Sequence, residues 1–328
     1  MYFYNNNYYF EKQELRILIK DNEIAVVIPV YRAEKIIDEL CRRLIFSLSK
    51  ITDDFEIILI DDSSPDYSWG KIKENSIKDN RVNGYLLSRN FGQHHAITAG
   101  IDKTNANWVI VMDCDLQDRP EEIANLYYLA IKGFDIVLAN RKNRKDSFLK
   151  KTTSKFFYFL LSFFSGMKFN GEVGNFGIYH SKVINSIKEI KDPFRFFVSS
   201  VKWVGFKSTT IDVEHDRRYN GVSSYNFKKL ISLGINIIIS FSNKPLKIMI
   251  FSGIITALLS ILFLVYNFYL KFSGQITELG YVSIISSIWL LSGVILFSTG
   301  ILGIYIGKIY DGIKKRPFYI ISDKSSND

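Results

Sequence analysis

The chain has 328 residues, enough for one large or two modest domains, and carries 42 Lys and Arg against 33 Asp and Glu. Its net charge of +9 suits contact with an anionic membrane leaflet, and the lack of a nucleic-acid motif argues against nucleic acid as the partner. The two cysteines, Cys41 and Cys114, exclude a disulfide framework.

Residues 1–22 are rich in Tyr and Asn and lack a basic region followed by an apolar core, so they read as a peripheral lead without a cleavable signal. Strand and helix patterns then alternate. Ile24–Val30 reads as a strand and Ala33–Ser49 as a helix. Phe55–Ile60 is a strand closed by the turn Asp61-Asp62-Ser63-Ser64-Pro65, and Ser68–Asn80 is a helix. Asn83–Leu87, Trp108–Met112 and Ile136–Ala139 read as strands, with helices over Gly92–Lys103 and Pro120–Lys132. Such alternation predicts an α/β domain with a mostly parallel sheet. The runs Ile24–Ile28 and Ile57–Ile60 are apolar throughout, as strands covered on both faces are.

Residues 148–169 mix Lys150, Lys151, Lys155 and Lys168 with eight aromatic residues, the signature of an amphipathic helix in a membrane interface or of an aromatic core helix. Residues 225–243 are a second stretch of this kind. Residues 246–270 and 281–307 are each long and apolar enough to cross a bilayer. The short link between them predicts a hairpin. Lys228, Lys229, Lys244 and Lys247 precede it, Lys308, Lys314, Lys315 and Arg316 follow it, and only Lys271 lies in the link. This asymmetry predicts that both termini are cytoplasmic. The expected divisions are a lead (1–22), a cytoplasmic domain (23–228), a juxtamembrane helix (229–244), two spans (245–308) and a C-terminal tail (309–328).

The chemistry is concentrated at Asp113-Cys114-Asp115-Leu116-Gln117, just past the apolar run that starts at Trp108. Ligands in open α/β sheets bind beyond the carboxyl ends of the strands. Two carboxylates there suit a hard divalent cation, Mg2+ or Mn2+, shared with substrate phosphates. The alternative is an acidic solvated loop. Asp61-Asp62-Ser63-Ser64-Pro65 has two readings as well, a ligand-facing pair or an ordinary turn and helix cap.

Several further stretches belong with these: Pro29-Val-Tyr31 with Glu34, Arg89-Asn-Phe-Gly-Gln-His94, Ala139-Asn-Arg141, and Arg218-Tyr-Asn-Gly-Val-Ser-Ser-Tyr225 before the membrane segment. Taken in this order, the set resembles family 2 glycosyltransferases of the GT-A fold. Within them it resembles the polyprenyl-phosphate sugar transferases, which include dolichyl-phosphate mannose synthase and the undecaprenyl-phosphate glucosyl- and formamido-arabinosyltransferases. The resemblance runs over residues 24–320. It implies a nucleotide-sugar donor, a polyprenyl-phosphate acceptor and a metal held by Asp113, Asp115 and Gln117, with the last two as the more direct ligands. It also implies that Pro29, Tyr31, Glu34, Asp61, Asp62 and Arg89 shape the nucleotide pocket, and that Arg141 and Arg218 bind phosphate. Arg144 and Lys155, basic residues near the membrane, are expected to help. The sequence departs from the family pattern in two places. Glu172-Val-Gly174 stands where Asp-x-Gly is common, keeping an acidic group at Glu172, and Ser223-Ser-Tyr225 stands where Ser-Lys-Tyr is common.

His94 and His95 lack an accompanying nucleophile pattern and read as packing residues. Gly300, Gly303 and Gly307 predict close helix packing, within the hairpin or in a homo-oligomer. Two other functions remain to be weighed. A processive polysaccharide synthase is disfavoured by the absence of Gln-x-x-Arg-Trp and by having only two spans. A catalytically silent membrane scaffold is disfavoured by the intact acidic pair with its arginines. No Gly-x-Gly-x-x-Gly follows the first strand, so a nicotinamide-binding enzyme is disfavoured too.

Overall fold

The computed structural model describes residues 24–141, 160–166, 173–190, 192, 196–214, 234–240, 242–273 and 280–325. The chain divides into two compact units. One comprises the chain up to Tyr158 with Phe169–Asn226 and Pro317–Asp328, and the other comprises Phe159–Lys168 with Phe227–Arg316.

The first unit is built on an eight-stranded mixed sheet. In chain order it contains β1 (Ile24–Val30), α1 (Ile37–Leu48), β2 (Phe55–Asp61), α2 (Ser68–Lys78), β3 (Val82–Leu87), α3 (Gln93–Ile101), β4 (Trp108–Val111), α4 (Ile123–Ile131), β5 (Ile136–Arg141), β6 (Val173–His180), α5 (Ser181–Glu189), α6 (Phe197–Trp203), β7 (Ser208–Val213) and, after the second unit, β8 (Ile321–Lys324). The strand order is β7-β5-β6-β4-β1-β2-β3-β8. β1 lies parallel between β2 and β4. β6 is antiparallel to both β4 and β5.

Every residue of β1 is buried, and its side chains alternate between two cores. Ile24, Val26, Ile28 and Val30 join Leu40, Leu44 and Leu48 of α1 and Tyr127 of α4. Ala25 and Val27 join Ala96, Ile97 and Ala99 of α3. The period-two alternation of a strand is therefore used on both sides, as in a sheet covered by helices. α3 sits close to the sheet because Gly100 has no side chain. A Cβ there would come within 2.3 Å of Val27 Cγ1.

The predicted elements up to Ile136 are present, with shifted ends. Glu34–Ile36 form a turn before α1, and Pro120–Glu122 form a 3-10 turn before α4. Strands β6, β7 and β8 are additional to the sequence reading. β8 reads Ile-Ser-Asp-Lys, too short and polar for periodicity to reveal. It is held by pairing with β3, by Trp69 Nε1 donating to Asp323 (3.2 Å) and by the Lys73–Asp323 ion pair (2.8 Å). The segment expected as a tail thus completes a sheet edge, which protects the flank of β3.

The second unit contains α7 (Lys244–Phe272) and α8 (Gly280–Ile313), both longer than the expected spans. Their apolar windows are not buried inside the protein: Ile250, Leu262, Leu290 and Leu296 are all exposed. Helices apolar all round and uncovered by protein match a lipid solvent. Within this unit Tyr305 Oη donates to the Ser242 carbonyl (2.8 Å), and Lys244 Nζ donates to the Phe163 carbonyl (2.5 Å). Of the two amphipathic stretches, residues 160–165 and 234–240 are helical, with Leu161 and Ile237 buried and Phe163 and Ile235 exposed. Residues 148–159, 167–169, 225–233 and 241, and the lead at 1–22, lie outside the described residues.

Candidate functional site

Parallel strands β2 and β4 flank β1, and each ends in a carboxylate pair. At the end of β2 both carboxylates are buried. Asp62 grips the backbone of the loop after β3, one oxygen accepting from Phe91 N (2.7 Å) and the other from Gly92 N (2.8 Å). Gly92 takes φ +96°, a conformation open to glycine, and opens α3 directly behind this grip. Asp61 Oδ1 accepts from Ser64 N (2.8 Å), whereas its Oδ2 is buried without a hydrogen-bond partner. Burial pushes both carboxyls above the ordinary carboxylate value, opposed by the hydrogen bonds from Ser64 to Asp61 and from Phe91 and Gly92 to Asp62. A buried acceptor without a donor suits a ligand N–H or O–H.

The loops around this pair are cross-braced. Arg32 N donates to Ser64 Oγ (3.1 Å) and Ala33 N to Ser68 Oγ (2.9 Å). Glu34 accepts from Tyr67 N (3.2 Å), so its carboxylate braces the turn before α2. Pro29 pairs with Ile60 inside the sheet, and Tyr31 is exposed just beyond it. Arg89 is exposed and stacks over Phe91 at 4.0 Å.

At the end of β4, Asp113, Asp115 and Gln117 are half-buried. Asp113 Oδ1 accepts from Gln93 Nε2 (2.6 Å) and Asn175 Nδ2 (3.2 Å). Asp115 Oδ1 accepts from Gln117 N (3.2 Å) across Leu116, which takes φ +56°. Among the described residues no three His, Cys, Asp or Glu converge on one point. The chain therefore offers two carboxylates and an amide oxygen. That all-oxygen set fits Mg2+ or Mn2+, which take their remaining ligands from water and substrate phosphates.

Arg141 ends β5, opposite Val213 of β7. Arg144, Lys155, Glu172, Arg218 and the segment Ser223–Tyr225 lie outside the described residues. Sequence reasoning missed the roles of Gln93 and Asn175. Gln93 stands inside the quoted stretch Arg89–His94, where only its neighbours drew notice. Asn175 follows the noted Glu172-Val-Gly174 by one residue, and only the pairing of β6 with β4 brings it to Asp113.

Both ring nitrogens of His94 are buried without a partner, although the residue keeps some exposed surface, and its ring packs edge-on against Phe196 at 4.4 Å. Burial, with a smaller push from His95, lowers it to about 4. It is a neutral packing residue at neutral pH. Burial pushes the Cys41 and Cys114 thiols up to about 12, which removes both as nucleophiles. An apolar cavity of about 660 Å³ in the second unit, lined by Met249, Trp289 and Phe297 among others, carries no acid–base group.

The family model for glycosyl transferase family 2 matches residues 25–188. The chain belongs to this family. It is 37% identical over 300 residues to the uncharacterized glycosyltransferase YkcC of Bacillus subtilis, covering 91% of this chain and 93% of that one. It is 33% identical over 311 residues to the undecaprenyl-phosphate 4-deoxy-4-formamido-L-arabinose transferase of Proteus mirabilis, covering 92% and 94%. Among solved structures it is similar to glucosyl-3-phosphoglycerate synthase from Mycobacterium tuberculosis in complex with Mn2+, UDP and phosphoglyceric acid. That match has a TM-score of 0.51 at 14% identity, covering 70% of this chain and 81% of that one, and speaks to the fold alone. The chain is a family 2 glycosyltransferase whose α/β unit has the GT-A fold.

Proposed function

We propose that this glycosyltransferase moves a sugar from a nucleotide sugar, a UDP-sugar, to undecaprenyl or another polyprenyl phosphate at the cytoplasmic membrane face. Its product would serve cell-envelope glycan or lipid modification. The observation that carries this reading is the pairing of a buried carboxylate site at the end of β2 with the Asp113/Asp115 site at the end of β4, in a chain that also holds two uncovered apolar helices. The similarity to the formamido-arabinose transferase extends over 92% of the chain and supports the lipid acceptor.

Asp61 and Asp62 receive the base and ribose, with Pro29, Tyr31, Glu34 and Arg89 around them. Asp113, Asp115 and Gln117 would hold Mg2+ or Mn2+, which supplies Lewis-acid neutralisation of the departing diphosphate. The acceptor phosphate is largely dianionic at neutral pH, since its second pKa is near ~6. It therefore needs orientation rather than a strong base. We assign that role to Arg141 and Arg218, through charge-assisted bonds to the phosphate, and count Glu172 among the catalytic residues. A phosphate oxygen forms a bond to the anomeric carbon, the bond from that carbon to the diphosphate oxygen breaks, and the nucleoside diphosphate leaves. A single displacement inverts the anomeric configuration.

The membrane orientation is supported by connectivity and charge. The chain enters the hairpin from the α/β unit and afterwards returns to it as β8, and basic residues flank both outer ends. Gly300, Gly303 and Gly307 form a small-residue stripe on α8, which we read as the face of a homo-oligomer. The test is transfer from a panel of radiolabelled nucleotide sugars to undecaprenyl phosphate, with Mg2+, Mn2+ or EDTA. Label in the lipid fraction from one donor, lost with EDTA, is expected. Label in polymer, or none from any donor by folded protein, overturns the reading.

A further inference from the structure

Asp113 is held by two side chains that nothing in the sequence pattern marks as a pair. Gln93 is the first residue of α3, and Asn175 lies in β6. Their amides donate to the same oxygen, Oδ1, at 2.6 and 3.2 Å. An ionised carboxylate only accepts hydrogen bonds, so both amides must present their NH2 groups to it.

Each donor is itself fixed by backbone. The ladder of β4 with β6 ends at the pair Val111–Gly177, and Asp113 and Asn175 each lie two residues beyond that pair, close enough for the side-chain bond. Gln93 follows Gly92, whose N–H and that of Phe91 are locked by Asp62. A continuous polar chain therefore runs from Asp62 at the end of β2, through the first turn of α3, to Asp113 at the end of β4 and on to β6. Both donors are neutral. They restrict the carboxylate without bringing a charge of their own. A lysine in either place would spend the carboxylate's charge on an internal ion pair.

We infer that Gln93 and Asn175 are positioning residues that aim the Asp113 carboxylate for the divalent cation. This rests on the glycosyltransferase reading above. Hydrogen bonds to ligating groups fix their direction, and their loss typically weakens metal binding or activity by about 10- to 100-fold.

The test uses the full-length enzyme with Gln93→Met, Asn175→Leu and the double variant, which keep shape and remove the donors. Gln93→Glu is a further variant that keeps the length of the side chain and turns an acceptor toward Asp113. The readouts are Mn2+ affinity from the electron paramagnetic resonance of free Mn2+, kcat and donor KM at saturating Mn2+, and UDP affinity without metal. Each single variant is expected to weaken Mn2+ binding and lower kcat by about tenfold, with donor KM and metal-free UDP affinity within about twofold. Because both donors hold one atom, the double variant should lose more than the product of the single losses. Gln93→Glu should lower kcat at least as far as Gln93→Met.

Wild-type Mn2+ affinity in the double variant, or losses that simply multiply, overturns the inference. So does a fall in metal-free UDP affinity as large as the fall in Mn2+ affinity, which would mark a general structural role. A wild-type enzyme that transfers no sugar would refute the proposed function instead, and the Mn2+ titration would still decide the role of the pair.

Discussion

The two carboxylate pairs look alike in sequence and differ in how the fold uses them. Asp61 and Asp62 are buried, and their bonds go to backbone N–H groups of Ser64, Phe91 and Gly92. Asp113 and Asp115 are half-buried, and the bonds to Asp113 come from the side-chain amides of Gln93 and Asn175. Backbone donors cannot be removed by substitution, whereas side-chain amides can. The first pair is therefore tied into the scaffold, with one oxygen of Asp61 left over for a ligand. The second is aimed by side chains that stand on that scaffold. α3 joins them, since Asp62 fixes its start and its first residue reaches Asp113.

The largest expected effect separates chemistry from scaffold. Asp115→Ala should leave the unfolding midpoint unchanged, because Asp115 is half-buried at a strand end. It should lower kcat by about a thousandfold, the loss of roughly 4 kcal/mol of transition-state stabilisation. Kinetics and thermal unfolding on the same preparation decide it. A folded, fully active Asp115→Ala enzyme would break the assignment of the second pair.

The joint between the pairs is open to a pH test. His94, in the first turn of α3, is pushed down to about 4 from an ordinary value of 6.5. The unfolded chain binds that proton more readily, so the stability from keeping His94 neutral is fully present above about 6.5 and is lost as pH falls toward 4. At ~1.4 kcal/mol per unit, the loss across this window is about 3 to 4 kcal/mol. His94→Phe should flatten that part of the stability–pH curve, measured by denaturant unfolding. An unchanged slope would mean that His94 is not the titrating group.

Asp62→Ala probes the scaffold beneath the nucleotide pocket. It strands the Phe91 and Gly92 N–H groups, each worth about 1–3 kcal/mol when buried and unpaired, and it relieves a buried charge. A net loss near 2 kcal/mol is expected. Asp62→Asn, which keeps one acceptor, should recover part of it. If Asp62→Ala instead leaves stability intact and abolishes turnover as Asp115→Ala does, the two pairs are not different in kind.

How much of this was legible in the chain follows from where the information sits. Buried parallel strands announce themselves, because Ile24–Val30 and Phe55–Asp61 need apolar side chains at nearly every position. The carboxylates at their ends could be read for the same reason, as polar residues that interrupt an apolar run. β8 could not be read, because an edge strand of four residues takes its stability from its partner and from the Asp323 contacts with Trp69 and Lys73. Asn175 was hidden for a related reason. Its meaning depends on an antiparallel register across 62 residues of sequence, which no local pattern carries. The buried, unpartnered oxygen of Asp61 was also invisible, since a turn-capping aspartate and a ligand-facing one have the same sequence.

That oxygen gives the smallest expected effect and the finest test of the contrast. Burial raises Asp61 above the ordinary carboxylate value, with the Ser64 hydrogen bonds opposing. The fold thus favours its protonated form. Its contribution to stability is fully present below the ordinary value of 3.8 and is lost as pH rises through the raised one. Ligand binding runs the opposite way, because an ionised Asp61 is the better acceptor for a base N–H or ribose O–H. Donor affinity should therefore weaken on the acid side at a pH above 3.8, while stability does not fall from this group. Asp61→Asn should remove that acid limb and cost about tenfold in donor affinity at neutral pH, roughly one charged hydrogen bond. Titration of a UDP-sugar, whose esterified diphosphate does not titrate between pH 4 and pH 7, reads both. If the limb persists in Asp61→Asn, the unpartnered oxygen is not where the nucleotide binds, and the first pair is scaffold alone.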